Sequence, residues 1–262
     1  MKKTSWLVFA LLVTALTACS EDVKTPADIY KGQSAETIFQ GGDAALAKGS
    51  YKDAVDSFEG LDALYPFSPY EEQAQLNIIY AYYKTGDYAM SVAAADRYIH
   101  LYPRGAHVDY AYYMKGISNT TVNRGLGSGL VELDISSRDL GSAKEAFNDF
   151  AELLRRYPDS PYAAAARSRM VYLRNMLAQS EVNIAQFYYD RRAYVAAANR
   201  ANVVVQDYQQ APAVTQALAL MVRSYRKLDL EEPASRAWQV LAYNYPDSKE
   251  YKDLIAESQR PH

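Results

Sequence analysis

Cys19 is the residue best placed to do covalent chemistry. It is the only cysteine in the chain, and a thiolate is the strongest nucleophile among the side chains. A lone cysteine makes no internal disulfide, so its use has to be sought elsewhere. Other chemistry is thinly represented. The three histidines are His100, His107 and His262, and none has a cysteine or second histidine at ligand spacing, which argues against zinc. No Gly-x-Ser-x-Gly elbow occurs. The glycines of Arg124-Gly125-Leu126-Gly127-Ser128-Gly129 lack the Gly-Lys-Ser/Thr ending and preceding strand of a phosphate loop. Carboxylates are scattered over helical faces. The reading is therefore no enzyme, no metal and no cofactor beyond a covalent lipid on Cys19.

The segment before Cys19 gives that cysteine its use. Lys2 and Lys3 precede an apolar run from Trp6 to Leu16, too short to cross a bilayer and patterned as a secretory signal. Leu16-Thr17-Ala18-Cys19 resembles the bacterial lipobox, which implies cleavage after residue 18 and lipidation of the Cys19 sulfur. By the same resemblance, Ser20 after the cysteine fits sorting to the outer membrane. Several buried acyl chains, at about 0.8 kcal/mol per CH₂, anchor a protein stably. Loss of Lys2 and Lys3 with the signal moves the formal net charge from −3 to −5, which gives no support to nucleic-acid binding.

Residues 1–18 are thus expected to be removed, 19–33 to form a polar lipidated tether with Pro26 and Gly32, and 34–262 to fold. That body repeats itself. One unit shows Gly49-Ser50-Tyr51, Ala54, Phe58 and Tyr65-Pro66. The next shows Gly86-Asp87-Tyr88, Ser91, Ala95 and Tyr102-Pro103. Later units show Ala146, Phe150 and Tyr157-Pro158, then Tyr194, Ala197, Ala201 and Val204, then Ala234, Trp238 and Tyr245-Pro246. The pattern is tetratricopeptide, a helix pair per unit. It predicts an all-α, right-handed superhelical stack of about five pairs with a long concave binding surface. Glycine suits the left-handed turn inside a pair. A small residue lets the helices approach, a bulky one fills the gap, and proline ends the second helix.

Two places break the rhythm. Gly116 and Ala146 stand about 18 residues too far apart, so 119–142 reads as an inserted glycine-rich loop, between N-terminal repeats at 34–118 and 143–160 and C-terminal repeats at 161–262. Tyr162 to Tyr189 has no Pro or Gly and reads as one long helix or two closely joined. The 24 tyrosines against 7 phenylalanines suit extended half-buried surfaces, since Tyr combines area with a polar tip.

Tyr65-Pro66-Phe67-Ser68-Pro69-Tyr70 and Ile78-Ile79-Tyr80-Ala81-Tyr82-Tyr83-Lys84 resemble the BamD (ComL) family of outer-membrane lipoproteins. So do Tyr113-Met114-Lys115-Gly116, Ser137-Arg138-Asp139, Ala185 to Tyr189 and Asn199-Arg200. The stretch from Tyr225 to Pro261 resembles it less. The resemblance implies a scaffold on the periplasmic face of the outer membrane. Its expected partners are the POTRA domains of BamA, other lipoproteins of the barrel-assembly complex, and C-terminal segments of unfolded outer-membrane proteins. A repeat lipoprotein that regulates a peptidoglycan enzyme is the alternative.

Leu76, Tyr80, Tyr83 and Lys84 fall on one helix face, with Tyr110 and Tyr113 extending it. Aromatic rings beside a lysine suit a peptide that ends in an aromatic residue and a carboxylate. Tyr80 and Tyr83 either line that groove or pack between helices, whereas Tyr82 sits in a core slot. Phe67 is the candidate exposed anchor. Arg200, with Arg191 and Arg192 nearby, is the candidate contact to BamA, since Arg pairs bidentately with carboxylates.

Overall fold

The computed structural model describes residues 25–122 and 141–259. The expected signal segment, Cys19 and most of the expected insert lie outside the described residues. Among the described residues every regular element is an α-helix. The chain divides into two units at Gly86.

The first unit holds α1 (Pro26–Ile29), α2 (Ala35–Lys48), α3 (Tyr51–Leu64) and α4 (Glu71–Thr85). Helices α2 and α3 form the first repeat pair, and α4 packs on α3. The pair closes on a glycine: a Cβ at Gly42 would stand 2.6 Å from the Phe58 ring, so the two backbones approach as closely as the ring allows. Ala54, Phe58 and Leu61 are fully buried on α3. Gly49 (φ 77°) and Gly86 (φ 85°) terminate α2 and α4 in the left-handed region, where glycine carries no Cβ penalty.

Residues 25–33 depart from the expected tether. Thr25 and Asp28 form a capping box that starts α1. The Tyr30 hydroxyl meets Ser57 Oγ at 2.8 Å, and the Tyr65 hydroxyl donates to the Gln33 carbonyl at 2.6 Å. A Cβ at Gly60 would lie 2.5 Å from the Tyr30 ring. The polar look of this segment hid a tyrosine and a proline that dock where α3 has no side chain.

The second unit holds α5 (Tyr88–Leu101), α6 (Val108–Val122), α7 (Gly141–Arg156), α8 (Ala163–Asp190), α9 (Tyr194–Asp207), α10 (Val214–Lys227), α11 (Glu231–Asn244) and α12 (Lys249–Ser258). Each packs on its successor from α5 to α11, and α12 caps α10. Gly116 on α6 sits under Phe150 on α7, with a Cβ position 2.7 Å from the ring. The third repeat pair is therefore α6 with α7, across the insertion. Both helices run into the expected insert: residues 119–122 continue α6, and 141–142 begin α7. Asn119 explains the first extension, because it is buried and donates to Asp149 at 2.8 Å.

Helix α8 is one unbroken helix of 28 residues. Its Ala178, Val182 and Ala185 share a buried cluster with Ala201, Leu218 and Leu241. Five second helices end at a tyrosine: Tyr65, Tyr102, Tyr157, Tyr208 and Tyr245 each donate a backbone N–H four residues back, at 2.7–3.0 Å. Proline follows four of the five and disfavours a further helical turn. Tyr208 ends α9 without one, so the tyrosine cap does not need it. No described helix is long and apolar enough to cross a membrane.

Candidate functional site

The site that the structure assembles lies at one end of the α3–α4 pair. Tyr51 opens α3, and Tyr80 and Lys84 stand a turn apart near the end of α4. The Tyr51 and Tyr80 rings meet edge to face at 6.2 Å. The Lys84 ammonium stands 5.3 Å from the Tyr51 centroid and 5.9 Å from that of Tyr80. Tyr80 is exposed at 38%, Lys84 is exposed and Tyr51 half-buried. The ring faces carry negative quadrupole, so they hold the cation in place without neutralising it. Two rings and an ammonium at a surface can stack an aromatic side chain and attract a carboxylate together.

Sequence reasoning had Tyr80 and Lys84 but not Tyr51. The signal for Tyr51 was its place after Gly49-Ser50, which reads as a turn residue. Only the antiparallel return of α4 brings it beside Tyr80. Tyr83 is half-buried on the same helix. Leu76 does not share the surface. It is buried at 5%, because positions four residues before Tyr80 already lie beneath the neighbouring helices. Tyr82 is a core residue, as expected, and its hydroxyl donates to Glu59.

Phe67 belongs to a different place. It sits on the loop joining α3 to α4 and is 97% exposed. Tyr80 lies nine residues into α4, about 14 Å along its axis from that loop at 1.5 Å per residue. Phe67 and the Tyr51–Tyr80–Lys84 cluster therefore occupy opposite ends of one helix pair.

In the second unit, Tyr110 and Tyr113 do not stand as open groove residues. Both rings pack on Tyr162, at 5.7 and 4.8 Å, and Tyr113 also leans on Phe150. They tie α6 to the start of α8, helped by Ser160 donating to Asp109 at 2.7 Å. Beside them, Lys115 bridges Asp96 at 2.8 Å and Asp149 at 3.2 Å. Burial pushes the Asp149 carboxyl upward, against the lowering effect of Asn119 and Lys115.

The three candidate arginines surround the α8–α9 turn and differ in their engagements. Arg191 lies over the Phe187 ring at 4.2 Å. Arg192 is exposed and occupies the left-handed position (φ 62°) that glycine fills in the first unit. Arg200 already makes an ion pair within the chain: Nη1 donates to Glu181 Oε2 at 2.8 Å. That reach from α9 back to α8 was invisible in sequence, where the two residues are 19 apart. Farther along, α8, α10 and α12 enclose a cleft of about 240 Å³, lined by Asn183, Gln186, Gln216, Arg223 and Asp253 among others. Arg223 there is held by Glu257 through three donor contacts of 2.6–3.2 Å.

Comparison with known proteins decides the family. The family described as YfiO, outer membrane lipoprotein, matches residues 31–241. The outer membrane protein assembly factor BamD of Xylella fastidiosa is 39% identical over 92% of this chain and 82% of its own. The chain belongs to the BamD (YfiO) family. The family's Neisseria meningitidis serogroup B member is 36% identical over 95% of this chain and 93% of its own. The Pasteurella multocida member is 35% identical over 93% and 92%. The BamD family resemblance read from Tyr65 to Tyr70 and from Ile78 to Lys84 was thus correct.

Proposed function

We propose that this chain is a lipid-anchored, non-enzymatic scaffold of outer-membrane protein assembly, facing the periplasm. Cys19 carries the lipid. The first unit receives the C-terminal segment of an unfolded outer-membrane protein. The second unit binds BamA through its POTRA domains by the surface around the α8–α9 turn, where Arg191 and Arg192 are exposed, and along α9, where Arg200 is tied to Glu181 of α8. Other lipoproteins of the complex dock on the same repeats.

One observation carries the substrate reading: a lysine held over two tyrosine rings at the surface, 5.3 and 5.9 Å from their centroids. A chain terminus offering an aromatic ring and a carboxylate satisfies both features at once. The names of the relatives support the assembly role, since each is called an outer membrane protein assembly factor. Stacking surface and positive charge, which Tyr51, Tyr80 and Lys84 supply together, suit binding.

The test is gentle detergent extraction of the lipidated chain from cell envelopes, followed by mass spectrometry of what co-purifies. A stoichiometric partner with POTRA domains and a membrane barrel is expected. Recovery of peptidoglycan synthases or hydrolases in its place overturns the assembly reading.

A further inference from the structure

Helix α4 presents a single stripe to solvent. Gln73, Asn77, Tyr80 and Lys84 follow one another at spacings of 4, 3 and 4, which places them within about 60° of one another around the helix. Gln73, Tyr80 and Lys84 are exposed and Asn77 is half-buried, while every residue between Gln73 and Lys84 outside the stripe is buried except the half-buried Tyr83. Tyr80 and Lys84 belong to the cluster with Tyr51. The other half of the stripe carries amides.

Helix α2 joins the stripe through Asp43. Asp43 stands 37 residues before Tyr80, the same interval as from Gly49 to Gly86, so it holds on α2 the repeat position that Tyr80 holds on α4. Asn77 Nδ2 donates to Asp43 Oδ1 at 2.7 Å, and Gln73 Nε2 donates to Asn77 Oδ1 at 2.9 Å. These bonds hold both amides in place. A carboxamide offers a donor and an acceptor, the two groups that an extended backbone has to satisfy. Asp43 adds a charge. It is exposed, its carboxyl is raised by partial burial and lowered by the Asn77 hydrogen bond, and no described cation acts on it.

The stripe has a length that sets a register. From Lys84 back to Asn77 is about 10 Å, and back to Gln73 about 16 Å, at 1.5 Å per residue. An extended segment rises about 3.3 Å per residue and turns alternate side chains to one side. With its terminal ring and carboxylate at the cluster, the second and fourth residues before the end stand about 7 and 13 Å upstream on the side of that ring. They flank the level at which Asp43 meets Asn77.

We infer that the received segment lies extended along α4, with its carboxyl terminus at Lys84 and its upstream backbone over Asn77 and Gln73, and that Asp43 makes the site prefer a basic residue two to four positions before the terminal aromatic one. The inference rests on the peptide-receiving role proposed for the first unit.

The experiment measures, by fluorescence anisotropy at low salt, the affinity of the full chain for seven-residue peptides ending in phenylalanine. Lysine, alanine or glutamate stands at the second or the fourth residue before the end, and each peptide is made as free acid and as amide. Lysine is expected to bind at least three-fold tighter than glutamate at one of the two positions. Asp43→Asn, whose side-chain oxygen can still accept from Asn77, should bring that ratio close to one and keep the preference for the free acid. A parent that prefers the free acid but binds lysine and glutamate peptides equally overturns this inference and leaves the peptide-receiving role standing. A lysine preference that survives Asp43→Asn overturns the assignment to Asp43. A parent indifferent to amidation removes the peptide-receiving role and this inference with it.

Discussion

The two units solve their helix packing identically and their turns differently. In the first, Gly42 admits Phe58; in the second, Gly116 admits Phe150, with the same near-contact of ring and backbone. The left-handed turn residue is glycine at 49 and 86 but Arg192 and Asp229 in the second unit. The cations differ as well. Lys84 rests over two rings, whereas Arg200 and Arg223 are spent on Glu181 and Glu257. The repeat dictates buried volume and backbone conformation. What the surface does with its charge is left to each unit, and there the two units differ.

The shared contact is the place to break the comparison hardest. Phe58→Ala and Phe150→Ala each empty a fully buried site and should cost about 3–5 kcal/mol, read by urea unfolding. Similar costs support equivalence, and a cost below about 1 kcal/mol at either site removes it. The turns come next. Gly86→Ala, where open space surrounds the Cβ position, should destabilise by about 1 kcal/mol through the left-handed backbone alone. Arg192→Gly relieves the same strain at an entropic cost and should stabilise by roughly 0.5 kcal/mol. Equal signs for the two changes would mean that the conformational cost does not lie in these turns.

The cations give smaller effects. Arg200 is partly exposed, so Arg200→Ala should cost at most about 1 kcal/mol. Lys84→Ala should change stability by less than that, since an exposed cation–π contact is worth about 0.5–1 kcal/mol. The smallest effect concerns a surface carboxylate on α7. Hydrogen bonds from Arg155 and Arg156 hold Glu152 down to about 2. A depressed carboxyl contributes stability above its ordinary value near 4.5 and loses it as the pH falls toward 2. NMR titration should find Glu152 low in the parent and near the ordinary value in the Arg155→Ala, Arg156→Ala double variant.

The repeat, the helix pairs and the long α8 were legible because spacing and the absence of Pro and Gly are properties of the sequence itself. The pairing of Gly116 with the helix of Ala146 and Phe150 across a long separation was legible for the same reason, while most of the expected insert lies outside the described residues. The turn at Arg192 was not, since nothing in that residue type announces a left-handed backbone, and Asp229 offered only a weak sign, Asp being one of the few non-glycine residues that enter that region. The docking of residues 25–33 was missed because a short polar segment gives no periodicity, and its receptor is a glycine, Gly60, that shows no pattern. Half of the candidate site was legible. Tyr80 and Lys84 share a helix face that can be counted, whereas Tyr51 joins them only through tertiary return, and Tyr110 and Tyr113 proved to be held by Tyr162.

The most direct measurement is the affinity of the full chain for a peptide ending in an aromatic residue, with a free and with an amidated carboxyl terminus. Amidation should weaken binding several-fold in the parent and have no effect in Lys84→Gln, while Tyr51→Ala with Tyr80→Ala weakens both forms. If the parent binds the free acid and the amide equally, the assignment of this surface to a carboxyl-terminal segment is wrong.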